Sequence, residues 1–213
     1  MLNDVIFNDE KSAYDDWNIT LIKADIPLPE PKLSTVDIKG ADGLLDLSEV
    51  IAGDVKYNNR TVKLSFEMMN DDDYYTLISK IGNYLHGKNI TFKLTNDEDY
   101  FYTGRATINS WECVNRLGKI TITIDCDPFK YDVIESIYTV KLNGNSQTVT
   151  LPNKRKRVCP VIDVNGVVNL IINGVTYKLQ PGEQQLFNLT EGDNVVRFSG
   201  DGTVKITYRQ GAL

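Results

Sequence analysis

Apolar and polar positions alternate over Arg60–Met68. Val62, Leu64, Phe66 and Met68 fall on one side and Thr61, Lys63, Ser65 and Glu67 on the other, which predicts a half-buried strand. The period then changes. Between Asn70 and Gly87, Tyr74, Leu77, Ile78, Ile81 and Leu85 recur at helical spacing and form one apolar stripe. Asn70 is a good N-cap, and Asp71, Asp72 and Asp73 suit the positive end of the helix dipole. Gly87 stands where a left-handed terminator belongs, with His86 and Lys88 beside the negative end. Upstream, Asn18–Ile26 is rich in β-branched residues, and Pro27, Pro29 and Pro31 then enforce an extended, unpaired connection. That connection is either a stiff surface linker or an arm lying on a neighbouring subunit.

Downstream, Asn89–Leu94 and a polar turn at Thr95–Asp99 lead into two long strands, Tyr100–Val114 and Lys119–Asp127, joined by Asn115 to Gly118. Pairing Val114 with Lys119 would put Trp111 and Cys113 on one face with Ile120, Ile122, Ile124 and Cys126, so both cysteines would belong to the core. The order strand, helix, strand, strand predicts an α+β domain over residues 1–135, with antiparallel sheets and one main helix. From residue 136 the texture shifts to short strands separated by Asn143-Gly144, Asn165-Gly166, Asn173-Gly174 and Gly200-Asp201-Gly202. Those dipeptides read as hairpin turns, and residues 136–213 as a small all-β sandwich.

Charge supports the same division. Residues 1–135 carry a net charge of −10 and residues 136–213 a net of +4, within an overall −6. An acidic larger half argues against nucleic acid as the main partner, because phosphate contacts need Lys and Arg. With 213 residues, 41% of them apolar, the chain can bury a sizeable core, and no apolar run approaches the roughly 20 residues of a membrane span. The N-terminal segment has neither a basic n-region nor an apolar h-region, so the expectation is synthesis in the cytoplasm without a signal peptide.

Chemistry is sparse. Cys113, Cys126 and Cys159 form no CxxC, and His86 has no neighbour with which to share a metal, so no metal or other cofactor is expected. A single histidine at a helix C-terminus is a poor catalytic base and a good dipole partner. Asp97, Glu98 and Asp99 could in principle supply paired carboxylates for glycoside hydrolysis, yet a turn is where solvated acids are expected anyway. Lys154-Arg155-Lys156-Arg157 reads as an exposed, solvated loop; if it binds anything, an acidic neighbouring subunit suits it better than DNA. Exposed aromatic faces for sugar binding are not evident in residues 136–213, because Tyr138, Tyr177, Phe187, Phe198 and Tyr208 lie mostly at positions that would be buried.

The segment Gly40-Ala-Asp-Gly-Leu-Leu-Asp-Leu-Ser48, followed by Gly53, Tyr57, Asn59 and Arg60, is a glycine-punctuated loop running into the strand that holds Phe66. It resembles the G-x-D-G-x-x-D-L-S … G-x-x-x-Y-x-N-R pattern near the N-terminus of distal tail (Dit) proteins of long-tailed phages and prophages of Gram-positive bacteria. The resemblance is specific over residues 35–66, looser across the rest of 1–135, and beyond that one of organisation. It implies a ring-forming α+β domain at residues 1–135 and a galectin-like β-sandwich at 136–213. It also implies a non-enzymatic virion protein: a homo-hexameric hub at the phage tail tip, assembled in the bacterial cytoplasm. The hub would join the tail tube protein to the tail-tip adhesion or baseplate apparatus.

The signature positions carried over are Gly40, Asp42, Gly43, Asp46, Leu47, Tyr57, Arg60 and Phe66, with structural roles. Arg60 would form an ion pair with an acid such as Asp46, and Phe66 would be core. The ring contacts would involve the proline segment 27–31 and the edges of the long hairpin. Two rival readings stay open: a carbohydrate- or cell-surface-binding β-protein acting as a monomer, and a small hydrolase using acids near Asp97–Asp99.

Overall fold

The computed structural model describes residues 4–69, 74–114 and 117–213. The chain divides into two compact units, one running to Lys130 and the other spanning Tyr131–Ala212. Among the described residues, no helix is long and apolar enough to cross a membrane.

The first unit opens with β1 (Val5–Phe7), β2 (Lys11–Ser12), α1 (Ala13–Trp17) and β3 (Thr20–Asp25). An excursion follows with β4 (Thr35–Asp37), β5 (Leu44–Asp46) and α2 (Ser48–Ala52). The main sheet then resumes with β6 (Arg60–Met69), α3 (Tyr74–Leu85), β7 (Asn89–Leu94), β8 (Tyr100–Val114) and β9 (Leu117–Cys126). The strand path is β2-β1-β7-β8-β9-β6-β3, and its two end strands are linked in sequence through α1. Alternation in β6 does what the pattern predicts: Val62, Leu64, Phe66 and Met68 are all buried. Opposite them in β9 lie Ile120, Ile122, Ile124 and Cys126, also buried. From α3, Tyr74, Ile81 and Leu85 enter this core, with Leu77 and Ile78 partly buried beside them. The proposed cap at Asn70 and Asp71–Asp73 lies outside the described residues. Phe7 stands 5.6 Å from Trp17 and 6.5 Å from Phe66, and Trp17 stands 5.6 Å from Tyr84, so β1, α1, β6 and α3 share one interior.

Three local expectations change. The β8–β9 hairpin is tighter than the sequence suggests, with Val114 opposite Leu117 and Cys113 opposite Gly118. A register slip of two residues keeps Trp111 and Cys113 on their expected face, with Trp111 now opposite Ile120 instead of Ile122, but Trp111 is 47% exposed and Cys113 only half-buried. His86 is tied to β8 as well as standing at the end of α3: its Nδ1 accepts the Ile108 N–H at 3.1 Å. The proline segment is also not unpaired. Pro31 bridges Tyr57, and the flanking bonds Lys32 N–H to Lys56 O and Asn58 N–H to Glu30 O measure 2.7 and 2.8 Å.

At the division stands β10 (Lys130–Asp132). The second unit contains β11 (Ser136–Asn143), β12 (Gln147–Asn153), β13 (Val161–Ile172), β14 (Val175–Leu179), β15 (Gly182–Gln184), β16 (Gly192–Tyr208) and β17 (Gly211–Ala212). Two long strands organise it. The first half of β16 pairs with β12 and the second half with β11, while β13 pairs with β15 at its start and β14 at its end. β13 and β16 run side by side, with Gly166 opposite Gly202 and Val168 opposite Gly200. These three glycines have φ of +125°, +142° and +119°, and a Cβ on any of them would run into the backbone of the partner strand. The sheet therefore bends along a glycine crease. Its inward residues, among them Ile162, Val164, Leu170, Phe198, Val204 and Ile206, form one core from both halves.

Asn165-Gly166 and Gly200–Gly202 are thus not hairpin turns, because each lies inside one continuous strand. Asn143-Gly144 ends β11 without making a hairpin, since β11 and β12 pair with different halves of β16. Asn173-Gly174 is a two-residue hairpin as expected, with both φ positive (+49° and +76°) between the paired Ile172 and Val175.

Candidate functional site

The eight signature residues do not converge on one centre. Five of them, Gly40, Asp42, Gly43, Asp46 and Leu47, lie on the excursion between β3 and β6. Tyr57 stands at its root, and Arg60 and Phe66 lie in the sheet. Phe66 is fully buried, as the sequence suggests. The Arg60–Asp46 ion pair does not form. Arg60 is 4% exposed, sits opposite Cys126, and lays its guanidinium 5.0 Å from the centre of the Tyr102 ring. Asp46 instead accepts from the Ser48 amide and hydroxyl at 2.9 and 2.5 Å, and these two donors hold its carboxyl below the usual aspartate range. Asp46 therefore shapes the entry into α2.

The excursion is a projecting arm. Its stem is the Pro31–Tyr57 bridge, with the Tyr57 ring edge-on to Phe129 at 5.7 Å. Leu47 N–H bonds to Ser34 O at 2.8 Å, and Ser34 N–H bonds to the Ser48 hydroxyl at 2.7 Å. At the tip, β4 and β5 pair only with each other among the described residues, around Gly40 and Gly43 at φ +88° and +75°. Val36 faces Leu45 and Asp37 faces Leu44, so one side of this two-stranded ribbon is apolar and the other mostly polar. The apolar side is uncovered. On that side Val36, Ile38 and Leu45 are 45% to 48% exposed, and elsewhere between β3 and β6 Leu28, Leu33, Leu44 and Val50 are 62% to 77% exposed. A lone two-stranded ribbon is marginal in water, and this many exposed large apolar side chains on one excursion suit a contact surface. Between Pro31 and Tyr57 the excursion carries Asp37, Asp42, Asp46, Glu49 and Asp54 against Lys32, Lys39 and Lys56.

The other chemical candidates resolve into structure. Asp97 is bound by Lys130 at 2.7 Å and receives the Tyr102 hydroxyl at 3.5 Å, while the Lys130 ammonium lies 4.0 Å from the Tyr100 ring centre. Burial, and then the nearby Asp97 charge, push the Tyr102 hydroxyl up to about 12. Of the basic run, Arg157 is exposed, but Lys154, Arg155 and Lys156 are half-buried and engaged, so it is not wholly a solvated loop. Lys154 pairs with Asp132 at 2.7 Å, Arg155 with Glu191 at 2.8 Å, and Lys156 lies 4.3 Å from the centre of the Tyr131 ring. Cys126 is buried, Cys113 and Cys159 are half-buried, and no disulfide joins them among the described residues. Among the described residues, no three His, Cys, Asp or Glu side chains come close enough to hold a metal. In the second unit Phe198 and Tyr208 are buried, and Tyr138, Tyr177 and Phe187 pack partly buried against them. Tyr75 and Trp111 form an exposed edge-to-face pair, with ring centres 5.8 Å apart.

Sequence reasoning missed the arm's uncovered face. The signal was available: Thr35-Val36-Asp37-Ile38 and Leu44-Leu45-Asp46-Leu47 are two short amphipathic stretches on either side of a glycine turn.

An antiparallel sheet carrying one long helix, followed by a creased all-β unit, is the class of fold these elements define. No family model matches the chain, and no curated protein matches it. Among solved structures, the chain is similar to the SPP1 Dit protein (gp 19.1), described as a paradigm of the hub adsorption apparatus in phages that infect Gram-positive bacteria. That likeness has a TM-score of 0.71 and covers 98% of this chain and 99% of the other, at 13% sequence identity. It is a likeness of fold along the whole length of both chains.

Proposed function

We propose that this chain is a structural hub of a phage tail tip. Its copies close into a ring, six by the family pattern, that joins the tail tube protein to the tip or baseplate adhesion proteins. It would then be a virion component assembled in the bacterial cytoplasm, with the unit up to Lys130 building the ring and a galectin-like Tyr131–Ala212 unit appended to it. The observation that carries this reading is the near-complete fold likeness to a hub protein. The projecting arm supports it, since a chain that leaves seven large apolar side chains uncovered on one excursion is built for a partner. A non-enzymatic, structural role is part of this reading and draws on the same likeness.

The test is a variant in which residues 33–55 are replaced by a short Gly-Ser turn, leaving the Pro31–Tyr57 stem in place. The expected result is a folded monomer beside an assembling parent, read by light scattering and circular dichroism. Assembly of the shortened chain equal to that of the parent would sink the arm's role.

A carbohydrate-binding reading draws on one observation, the exposed Tyr75–Trp111 pair. It requires saturable binding of an oligosaccharide that is lost in Trp111→Ala.

A further inference from the structure

The second unit holds three Asn-Gly pairs, Asn143-Gly144, Asn165-Gly166 and Asn173-Gly174. In an unconstrained chain an asparagine before glycine is chemically labile, because no side chain shields the following backbone nitrogen from the Asn carboxamide carbon. Attack requires that nitrogen to be free and the two residues to turn toward a ring. The fold sets both conditions, and they separate the three pairs.

Asn165 and Gly166 stand opposite Thr203 and Gly202 in the middle of the β13–β16 pair. A Cβ at Gly166 would run into Asp201 O, so the backbone there has no room to rotate. Asn143 is held opposite Asp201 at the end of β11, and the Gly144 N–H is donated to Gly200 O at 3.0 Å. Freeing that nitrogen costs a backbone hydrogen bond. Asn173-Gly174 is different. The pair is the whole loop between Ile172 and Val175, and both residues are exposed. Among the described residues the Gly174 amide makes no backbone hydrogen bond, and a Cβ at Gly174 would meet nothing within 4 Å.

We propose that Asn173 is a site of spontaneous deamidation and backbone isomerisation in the native protein, while the sheet protects Asn143 and Asn165. The Gly174 nitrogen gives its proton to water or hydroxide and attacks Asn173 Cγ. The new C–N bond closes a five-membered succinimide as the Cγ–Nδ2 bond breaks and the amide leaves as ammonia. Water then opens the ring at either carbonyl, giving aspartate or isoaspartate. Overall one water is consumed and one ammonia is released.

The two products act differently on the fold. Asp-Gly suits the same two-residue turn as Asn-Gly. Isoaspartate adds a methylene to the main chain of a loop whose length fixes the register of Ile172 and Val175. Among the described residues β14 pairs only with β13, so no second strand holds that register. Leu179, buried at the far end of β14, makes a shift costly.

The full chain is incubated at mildly alkaline pH, folded and in urea, then mapped by peptide mass spectrometry with isoaspartyl methyltransferase labelling. In urea all three asparagines should convert at comparable rates. In the folded chain Asn173 should convert about tenfold faster than Asn143 or Asn165, and Asn173→Gln should remove that signal. The aged sample should contain a fraction that unfolds at lower denaturant, whereas Asn173→Asp should keep the parent's midpoint. An Asn173 that stays intact in the folded chain while converting in urea overturns the proposal, as does an Asn143 or Asn165 that keeps pace with it. An isoaspartate-rich sample that unfolds as the parent does overturns the effect on register.

Discussion

Phe66 is sealed from solvent in β6, within ring contact of Phe7 and between the β3 and β9 neighbours of its strand. Phe66→Ala should cost about 3–5 kcal/mol in urea unfolding, the range for removing a large buried ring; a loss below about 1 kcal/mol would contradict its place in the core. Tyr102 and Cys126 predict a pH response. Burial pushes the Cys126 thiol up to about 12, as burial and Asp97 do for the Tyr102 hydroxyl. Both groups stay protonated in the fold while the unfolded chain loses the same protons near its ordinary values of 9 and 10. The contribution is therefore constant through neutral pH, and stability falls as pH rises above about 9 toward 12. The denaturation midpoint followed against pH should show this decline, and Tyr102→Phe should flatten its upper part. In the second unit, Asn153 donates from its buried amide to Lys156 O at 2.8 Å and more loosely to Leu189 O and Thr190 O. Asn153→Ala should cost about 1–3 kcal/mol, the desolvation of carbonyls left without that donor.

The glycine crease is the element that lets β13 and β16 serve both halves of the second unit. Gly200→Ala places a methyl against Val167 O at a φ of +119°, and should destabilise by roughly 1–3 kcal/mol in chemical denaturation. An unchanged midpoint would mean that the strand is not bent there. This element also marks where sequence reading succeeds and fails. Asn165-Gly166 and Asn173-Gly174 are the same dipeptide, and both glycines take positive φ, so local turn chemistry cannot separate a crease from a hairpin. The longer pattern can. Ile162, Val164, Val168, Leu170 and Ile172 keep one parity straight through Gly166, whereas a hairpin there would turn Asn169 inward. β6 and the stripe of α3 were legible because a single period runs through each. Phe66 was placed correctly for the same reason. Arg60 was not, because a buried guanidinium over Tyr102 depends on a strand more than 40 positions away in the sequence. The arm was legible as a shaped loop from Gly40 and Gly43, but its amphipathic character emerges only when β4 and β5 are set side by side.

At the scale of the whole molecule, the first unit combines a well-packed core with an excursion whose large apolar side chains are exposed. The fold likeness extends along both chains although only 13% of residues are identical, as expected when the shared constraint is a core pattern. Ring closure is the property on which the hub reading depends. The most direct measurement is the mass of the purified full-length chain by light scattering across a concentration series, with negative-stain images of the peak. A closed assembly of about six copies around an open channel is the expected result. A single-copy mass at every concentration, with no ring in the images, would contradict it.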